Sequence, residues 1–256
     1  MRIATWNVNS IRARIPVVEA FVEDQEPDVL CMQETKVADE DFPAEPFEAM
    51  GYEVAFAGEK SYNGVATASR LKMEVTDQGF DEEPSDASRL LIVQIGRLPV
   101  VNTYVPQGRD PEDEAFRYKL DWLRRLRDLF ERRWTPRKRI LWVGDMNVAP
   151  TERDVYAPKR LGNHPDFHPD ARAAFAHTAE WGFVDVFRRH NDEDGQFTFY
   201  DYRDTQSLQK GHGWRVDHTM ATKPLARLST RCWIDLAPRR AEKPSDHAPL
   251  LAEFDL

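Results

Sequence analysis

Ile140-Leu141-Trp142-Val143-Gly144-Asp145-Met146-Asn147 is a short apolar run that stops abruptly in a polar cluster. A run this short, β-branched and aromatic in part and closed by glycine, reads as a buried strand. Its polar end sets a carboxylate and an amide at the tip of a rigid element. The same plan recurs along the chain. Ile3 to Val8, Val29 to Gln33, Val65 to Ala68, Leu90 to Ile95, Val100 to Tyr104, Arg215 to Ala221 and Leu250 to Phe254 read as further strands. Around their ends stand Trp6-Asn7-Val8-Asn9, Gln33-Glu34-Thr35, Asn102-Thr103-Tyr104, Arg215-Val216-Asp217-His218 and Ser245-Asp246-His247.

Helical patterns lie between some of these strands. Pro16 suits a first helical turn, after which Val18, Phe21 and Val22 share one face up to Gln25. A longer helix places Phe116, Leu120, Leu123 and Phe130 on one side and Arg124, Arg125, Arg127, Arg132 and Arg133 on the other, which reads as a solvated face rather than a DNA contact. A third helix is expected from Asp170 to Trp181, closed by Gly182. Strands alternating with helices predict an α/β protein with two packed sheets. No Gly, Ser or Pro-rich linker divides residues 1–256, so one domain is expected. Glu152 to Pro169, with His164 and His168, reads as a long ordered loop of the kind that carries function.

A net charge of −9 excludes a protein that coats nucleic acid nonspecifically, because affinity for phosphates comes from Lys and Arg. If DNA is the ligand, the basic surface must be local. Cys31 and Cys232 sit in apolar runs without metal-type spacing and read as reduced core thiols of a cytoplasmic protein. From Met1 onward no stretch is apolar enough for a signal peptide or a membrane span.

Alone, each polar strand end is as ordinary as a turn or a cap. Together they supply carboxylates, amides, a phenol and an imidazole. Phosphodiester hydrolysis needs such a set: ligands for a charge-offsetting cation, a base to orient water, and a donor for the phosphoryl oxygens. No Ser or Cys stands in an elbow or triad setting, and neither a Walker loop nor a dinucleotide fingerprint occurs. Direct attack by water is therefore preferred to a covalent intermediate.

The series Thr5-Trp6-Asn7-Val8-Asn9-Ser10, Met32-Gln33-Glu34-Thr35-Lys36, Gly144-Asp145-Met146-Asn147-Val148-Ala149-Pro150, Gly213-Trp214-Arg215-Val216-Asp217 and Lys243-Pro244-Ser245-Asp246-His247-Ala248-Pro249 resembles the exonuclease III family of abasic-site endonucleases, in the family's order from Arg2 to Phe254. The resemblance implies a four-layer α/β/β/α sandwich with the site at one end of two mixed sheets. It implies that Glu34 is the principal ligand of Mg²⁺ or Mn²⁺, with Asn7 and Asp246 close by. Asp145 and Asn147 would position and activate water, and could also touch the metal. His247, held by Asp217, would bind the scissile phosphate and stand near the metal. Tyr104 would approach the phosphate, with Asn102 supporting the same wall.

The implied partner is double-stranded DNA with abasic sites or 3′ ends, bound by a monomer. Phe199 and Trp214 match positions that the family uses to line a pocket for a base-free sugar. Phe197 and Tyr202 read equally as core aromatics of a strand pair. Arg12, Lys36, Lys60, Asn63, Arg203 and Lys210 are candidate DNA contacts in flanking loops. Gln107 stands where many members have Asn, Thr198-Phe199-Tyr200 replaces a tryptophan-rich run, and His218 follows Asp217 where Tyr or Leu is common. These departures bear on substrate preference. Lipid-phosphate hydrolysis on the same fold and a silent DNA-binding module are the rival readings.

Overall fold

Strands β1 (Arg2–Asn7), β2 (Val29–Gln33), β3 (Glu53–Ala57) and β4 (Val65–Ser69) begin one sheet of the computed structural model, which describes residues 1–256. Strands β5 (Met73–Gln78), β6 (Leu90–Ile95), β7 (Leu98–Tyr104), β8 (Leu141–Asp145), β9 (Phe183–Asp185) and β10 (Asp217–Thr222) build a second. Strands β11 (Ser229–Ile234) and β12 (Leu250–Phe254) return to complete the first. The orders are β11-β12-β1-β2-β4-β3 and β5-β6-β7-β8-β10-β9.

Each sheet has one parallel pair at its centre. The Ile11–Gln25 helix connects β1 to β2, with Asn7 opposite Gln33, and the Glu114–Arg133 helix connects β7 to β8, with Tyr104 opposite Asp145. Parallel strands end at the same edge. Each unit therefore delivers its polar tips together, and β10, antiparallel to β8, adds Asp217 opposite Asp145. Gly144 has φ +138°, and a Cβ there would lie 1.9 Å from the Thr103 carbonyl oxygen, so only glycine lets β8 run this close to β7.

Side chains alternate across each strand, which splits the apolar residues into layers. Ile3, Val29, Val93, Val100, Val143 and Leu250 meet between the sheets. Trp6, Val18, Phe21 and Leu30 fill the space under the first helix, and Phe116, Leu126, Phe130, Trp142 and Phe175 that under the Glu114–Arg133 and Pro169–Ala179 helices. Helix, sheet, sheet, helix is the four-layer order expected. No helix is long and apolar enough to cross a membrane.

Two helical expectations need correction. The first helix begins at Ile11, so Pro16 lies inside it. No capping side chain marks that start; the N–H groups of Ser10 and Ile11 bond the carbonyls of Glu34 and Thr35 instead. Arg125 belongs to the buried side of the long helix, where its guanidinium pairs with Asp86 at 2.9 Å and donates to the Glu82 carbonyl. The rest of that basic face is solvated and self-neutralised: Arg124 pairs with Asp121 and Asp128, Arg127 with Glu131, Arg133 with Asp77.

Candidate active site

The tips of β1, β2, β8 and β10 and the turn before β12 meet at one end of the sandwich. Asn7 is the hinge of the cluster, its amide donating to Glu34 Oε1 at 2.8 Å and to Asp145 Oδ2 at 2.9 Å, one partner from each sheet. Lys36 places its ammonium 2.6 Å from Glu34 Oε2 and donates to Asn9 Oδ1. Asn9 in turn donates to Asp246 Oδ1 at 2.9 Å and to the Tyr202 hydroxyl at 3.0 Å. Asn9, Glu34, Lys36 and Asn147 all have left-handed backbones, with φ between 43° and 53°. That conformation costs free energy in residues other than glycine and persists where the surroundings over-determine it, as at functional sites.

His247 is fixed from every side. Its Nδ1 lies 2.8 Å from Asp217 Oδ2, its backbone N–H donates to Ser245 Oγ, its carbonyl accepts from the Trp6 indole at 3.0 Å, and Phe199 lies against its ring at 4.9 Å. Its Nε2 faces Asp145 Oδ2 at 3.9 Å. Burial alone would favour neutral imidazole, but Asp217 and then Asp145 raise its pKa above the usual histidine range. Asp145 moves the same way: burial, and the neighbouring charge of Asp217, hold its carboxyl well above an ordinary carboxylate. Glu34 goes down, because Lys36 and the Asn7 amide outweigh the burial that would raise it. Burial and the Glu34 and Asp145 carboxylates push the Tyr104 phenol well up, so it remains a hydroxyl donor at neutral pH.

Asp145, Asp217 and His247 present ligand atoms within 4.8 Å of one another, and Asp217 Oδ1 is buried without a hydrogen-bond partner. A cation would favour the ionised form of Asp145, which burial first and the Asp217 carboxylate after it disfavour. The two carboxylates could hold a metal, and His247 could join them only as neutral imidazole. Asn147 commits Nδ2 to the Val105 carbonyl and its backbone N–H to Asp145 Oδ1, both at 2.9 Å, which leaves its amide oxygen for the cleft it lines.

The cleft, about 320 Å³, takes in Glu34, Lys36, Tyr104, Asn147, Asp246 and His247. Phe199 and Arg203 reach it as expected; Asn102 and Trp214 do not. Asn102, 0% exposed, clamps the sheets together beneath the site: its amide donates to the Ala66 and Met32 carbonyls and accepts from Gln33 Nε2 at 2.7 Å. It cannot touch DNA. Trp214, 7% exposed, packs in a small cluster with Val155, Phe167 and Val216, its ring 4.5 Å from His164. It supports the cleft wall from behind, and Val216, two residues on, is the side chain that lines it with Phe199.

Among the flanking candidates, Arg12, Lys36 and Lys60 border one shallow depression beside the cleft, with Arg12 paired to Asp41 at 2.9 Å. Asn63 donates to Glu59, and Lys210 is exposed at the end of the Ser207–Lys210 turn, away from the cleft lining. Tyr202, 45% exposed, lies on the cleft rim and not in the core. Sequence reasoning missed Asp166 as a cleft residue and Lys119 beneath it, since a proline-rich loop and a lone lysine in a helix give no periodic signal.

The profile of the Endonuclease/Exonuclease/phosphatase family matches residues 4–247. The chain belongs to that family. Within it, the Haemophilus influenzae protein named exodeoxyribonuclease III is 35% identical over 99% of this chain and 100% of its own length. An AP endonuclease structure from Archaeoglobus fulgidus superposes with a TM-score of 0.98 at 47% identity, each chain covered completely. A 3′ phosphatase from Neisseria, bound to a product DNA hairpin, does so with a TM-score of 0.93 at 33% identity, again over the whole of both chains. The two solved structures share the two-sheet architecture over the whole of both chains.

Proposed function

We propose that this chain is a DNA repair nuclease that hydrolyses phosphodiester bonds of double-stranded DNA, at abasic sites and at 3′ ends, with water as nucleophile and Mg²⁺ or Mn²⁺ as cofactor. The observation that carries the reading is the Asp217–His247 pair set against Asp145 and the Asn7–Glu34 pair, a buried cluster that opens to one cleft through His247 and Glu34. The relatives' names support DNA as the substrate. A lipid phosphoester would call for an apolar rim, whereas Asn9, Lys36, Gln107, Asp201 and Arg203 make this one polar and charged.

Each side chain has work that its geometry suits. Glu34, with Asn7 and Asp246 near it, would hold the cation, which supplies charge compensation for the phosphoryl oxygens. In its ionised form Asp145 would take a proton from water that the Asn147 amide oxygen orients, the raised pKa making that carboxylate the stronger base. Since Nδ1–H of His247 is committed to Asp217, Nε2–H is left to bind a phosphoryl oxygen. The Tyr104 hydroxyl, in the lining of the same cleft, would donate to a phosphoryl oxygen. Nothing covalent forms with the protein.

Hydrolysis of four labelled duplexes, abasic, nicked, 3′-phosphate and RNA–DNA hybrid, with and without Mg²⁺, tests the reading. Turnover of none of them would sink it. Chelation should abolish activity. Glu34→Gln should weaken Mg²⁺ binding by at least the roughly 10- to 100-fold that follows loss of outer-sphere partners, measured by calorimetry, with the melting temperature little changed because Glu34 stands at a strand end. Full activity in excess chelator would contradict this.

Phe199 is half-buried against His247 and faces the cleft, where an apolar ring suits a base-free sugar better than a hydrated nucleotide. Phe199→Ala should reduce the preference for abasic over intact DNA by about 1 to 3 kcal/mol, the scale of a lost aromatic contact with nucleic acid. The ratio of incision to exonuclease rates reads this out; an unchanged ratio removes Phe199 from lesion selection.

A further inference from the structure

Lys119 lies on the buried side of the Glu114–Arg133 helix and its side chain is 0% exposed, so its ammonium does not itself line the cleft. It donates instead to the backbone carbonyls of Gln107 at 2.9 Å, Asn147 at 2.5 Å and Pro165 at 3.1 Å, and to Asp166 Oδ1 at 3.0 Å. Those partners come from separate loops: the one after β7, the one after β8, and the long stretch between the Glu152–Asp154 turn and the Pro169–Ala179 helix. Gln107, Asn147 and Asp166 all line the cleft. One point charge therefore ties together three pieces of the wall, with a backbone bond from Ala149 N–H to the Asp166 carbonyl at 2.7 Å running alongside.

Asn147 is the member of this set that most needs an outside hold. Its φ of +47° lies in the left-handed region, which asparagine adopts more readily than most residues but which holds only when the turn is tied down, and a side-chain amide can orient water only if its own backbone is fixed. We propose that Lys119 is a positioning residue that pins the left-handed turn carrying Asn147, and with it the Gln107 and Asp166 walls, against the reacting phosphate. The inference rests on the nuclease reading for its kinetic consequence, though not for the structural one. An ammonium suits this place because its donors radiate from a single small centre toward several carbonyls, whereas a planar guanidinium would present them in a fixed fork.

The experiment uses the full chain with Lys119→Met, which keeps the stem and removes the charge, and Lys119→Arg, which keeps the charge for Asp166 and loses the geometry. With Mg²⁺ and an abasic duplex, Lys119→Met should lower kcat by roughly 10- to 100-fold with KM nearly unchanged, the penalty for a small misplacement of an orienting group. Lys119→Arg should fall in between. In an Asn147→Ala background Lys119→Met should add little further loss, because its effect passes through the missing amide. Amide exchange needs no substrate: at Asn147 and Ala149 it should accelerate in Lys119→Met while Leu141 to Val143 of β8 stay protected. A wild-type protein inactive on every duplex would fail the nuclease reading and leave the exchange result to decide this one. The inference is overturned by unchanged exchange at Asn147, by kinetic losses that multiply in the double variant, or by failure of both Lys119 variants to fold, which would make the lysine a core support with no particular tie to Asn147.

Discussion

Asp145→Asn should leave DNA binding nearly intact, cut kcat by roughly 10²- to 10⁴-fold, and at the same time make the metal-free protein more stable. The rate loss is the range that a positioned acid or base supplies, and it appears in kcat because proton transfer belongs to the transition state. The stability gain follows from the sign of the pKa shift. Burial and Asp217 raise the Asp145 carboxyl above its unfolded value, so the folded state prefers the protonated form, and stability is lost as pH rises through the folded pKa. Asparagine cannot take up the charged form that burial penalises, and its one amide oxygen can still accept from Asn7, at the expense of the bond that the Asn147 N–H makes to the other carboxylate oxygen. His247→Ala should lose rate on a similar scale, and the two losses should be less than additive because Nε2 and Asp145 Oδ2 face each other at 3.9 Å. Chemical denaturation in chelator, set beside single-turnover rates, checks both halves. A variant that loses stability along with activity would mark Asp145 as structural.

How much of this was legible in the sequence follows burial closely. The strands read as apolar runs, β1, β2, β4, β6, β7, β8, β10 and β12, are the interior members of the two sheets. The ones not read as strands, β3, β5, β9 and β11, are the four edges. An edge strand is solvated along one side, so Glu74, Val75 and Thr76 of β5 stay exposed and the run dissolves into mixed polarity. The carboxylates and imidazole of the site were visible because they sit at strand ends, where an abrupt change from apolar to polar is itself the signal. Asn102 shared that signal and misled, since a polar side chain pointing between the sheets looks the same in sequence as one pointing into the cleft. Trp214 misled through the resemblance: its position matched, and its neighbour Val216 faces the cleft. Lys119 and Asp166 could not have been found by pattern, because they pair with each other across 47 residues of sequence and the other partners of Lys119 are backbone carbonyls of separate loops.

Behind the β8 turn lies the largest stability effect expected in the molecule. Asp154, 0% exposed, accepts from Arg215 Nε at 2.7 Å, Arg188 Nη2 at 2.6 Å and both the N–H and the hydroxyl of Thr151. Arg215, equally buried, reaches on to Asp185 at 2.8 Å and to His218 Nδ1 at 3.0 Å, and His218 Nε2–H donates to the Val148 carbonyl, next to Asn147. Removing one member strands a charge away from water, so Asp154→Ala should cost about 3 to 5 kcal/mol. The pH dependence has two parts. Burial and then Arg215 pull His218 down to about 4 from a model-peptide 6.5, so stability is full above pH 6.5 and declines as pH falls toward 4. By linkage this limb is on the order of 3 kcal/mol. Burial would raise Asp154, but Arg215 and the surrounding donors hold it well below the carboxylate range, so its share persists above about pH 4 and is lost only at lower pH. Asp145 works the other way over this range and does so in both proteins, so urea midpoints should drop more, or rise less, from pH 7 to 4 in the wild type than in His218→Gln, whose amide can both donate to Val148 and accept from Arg215 without titrating. Equal slopes in the two proteins would mean that His218 does not set the acid limb, and that the turn carrying Asn147 is held by other means.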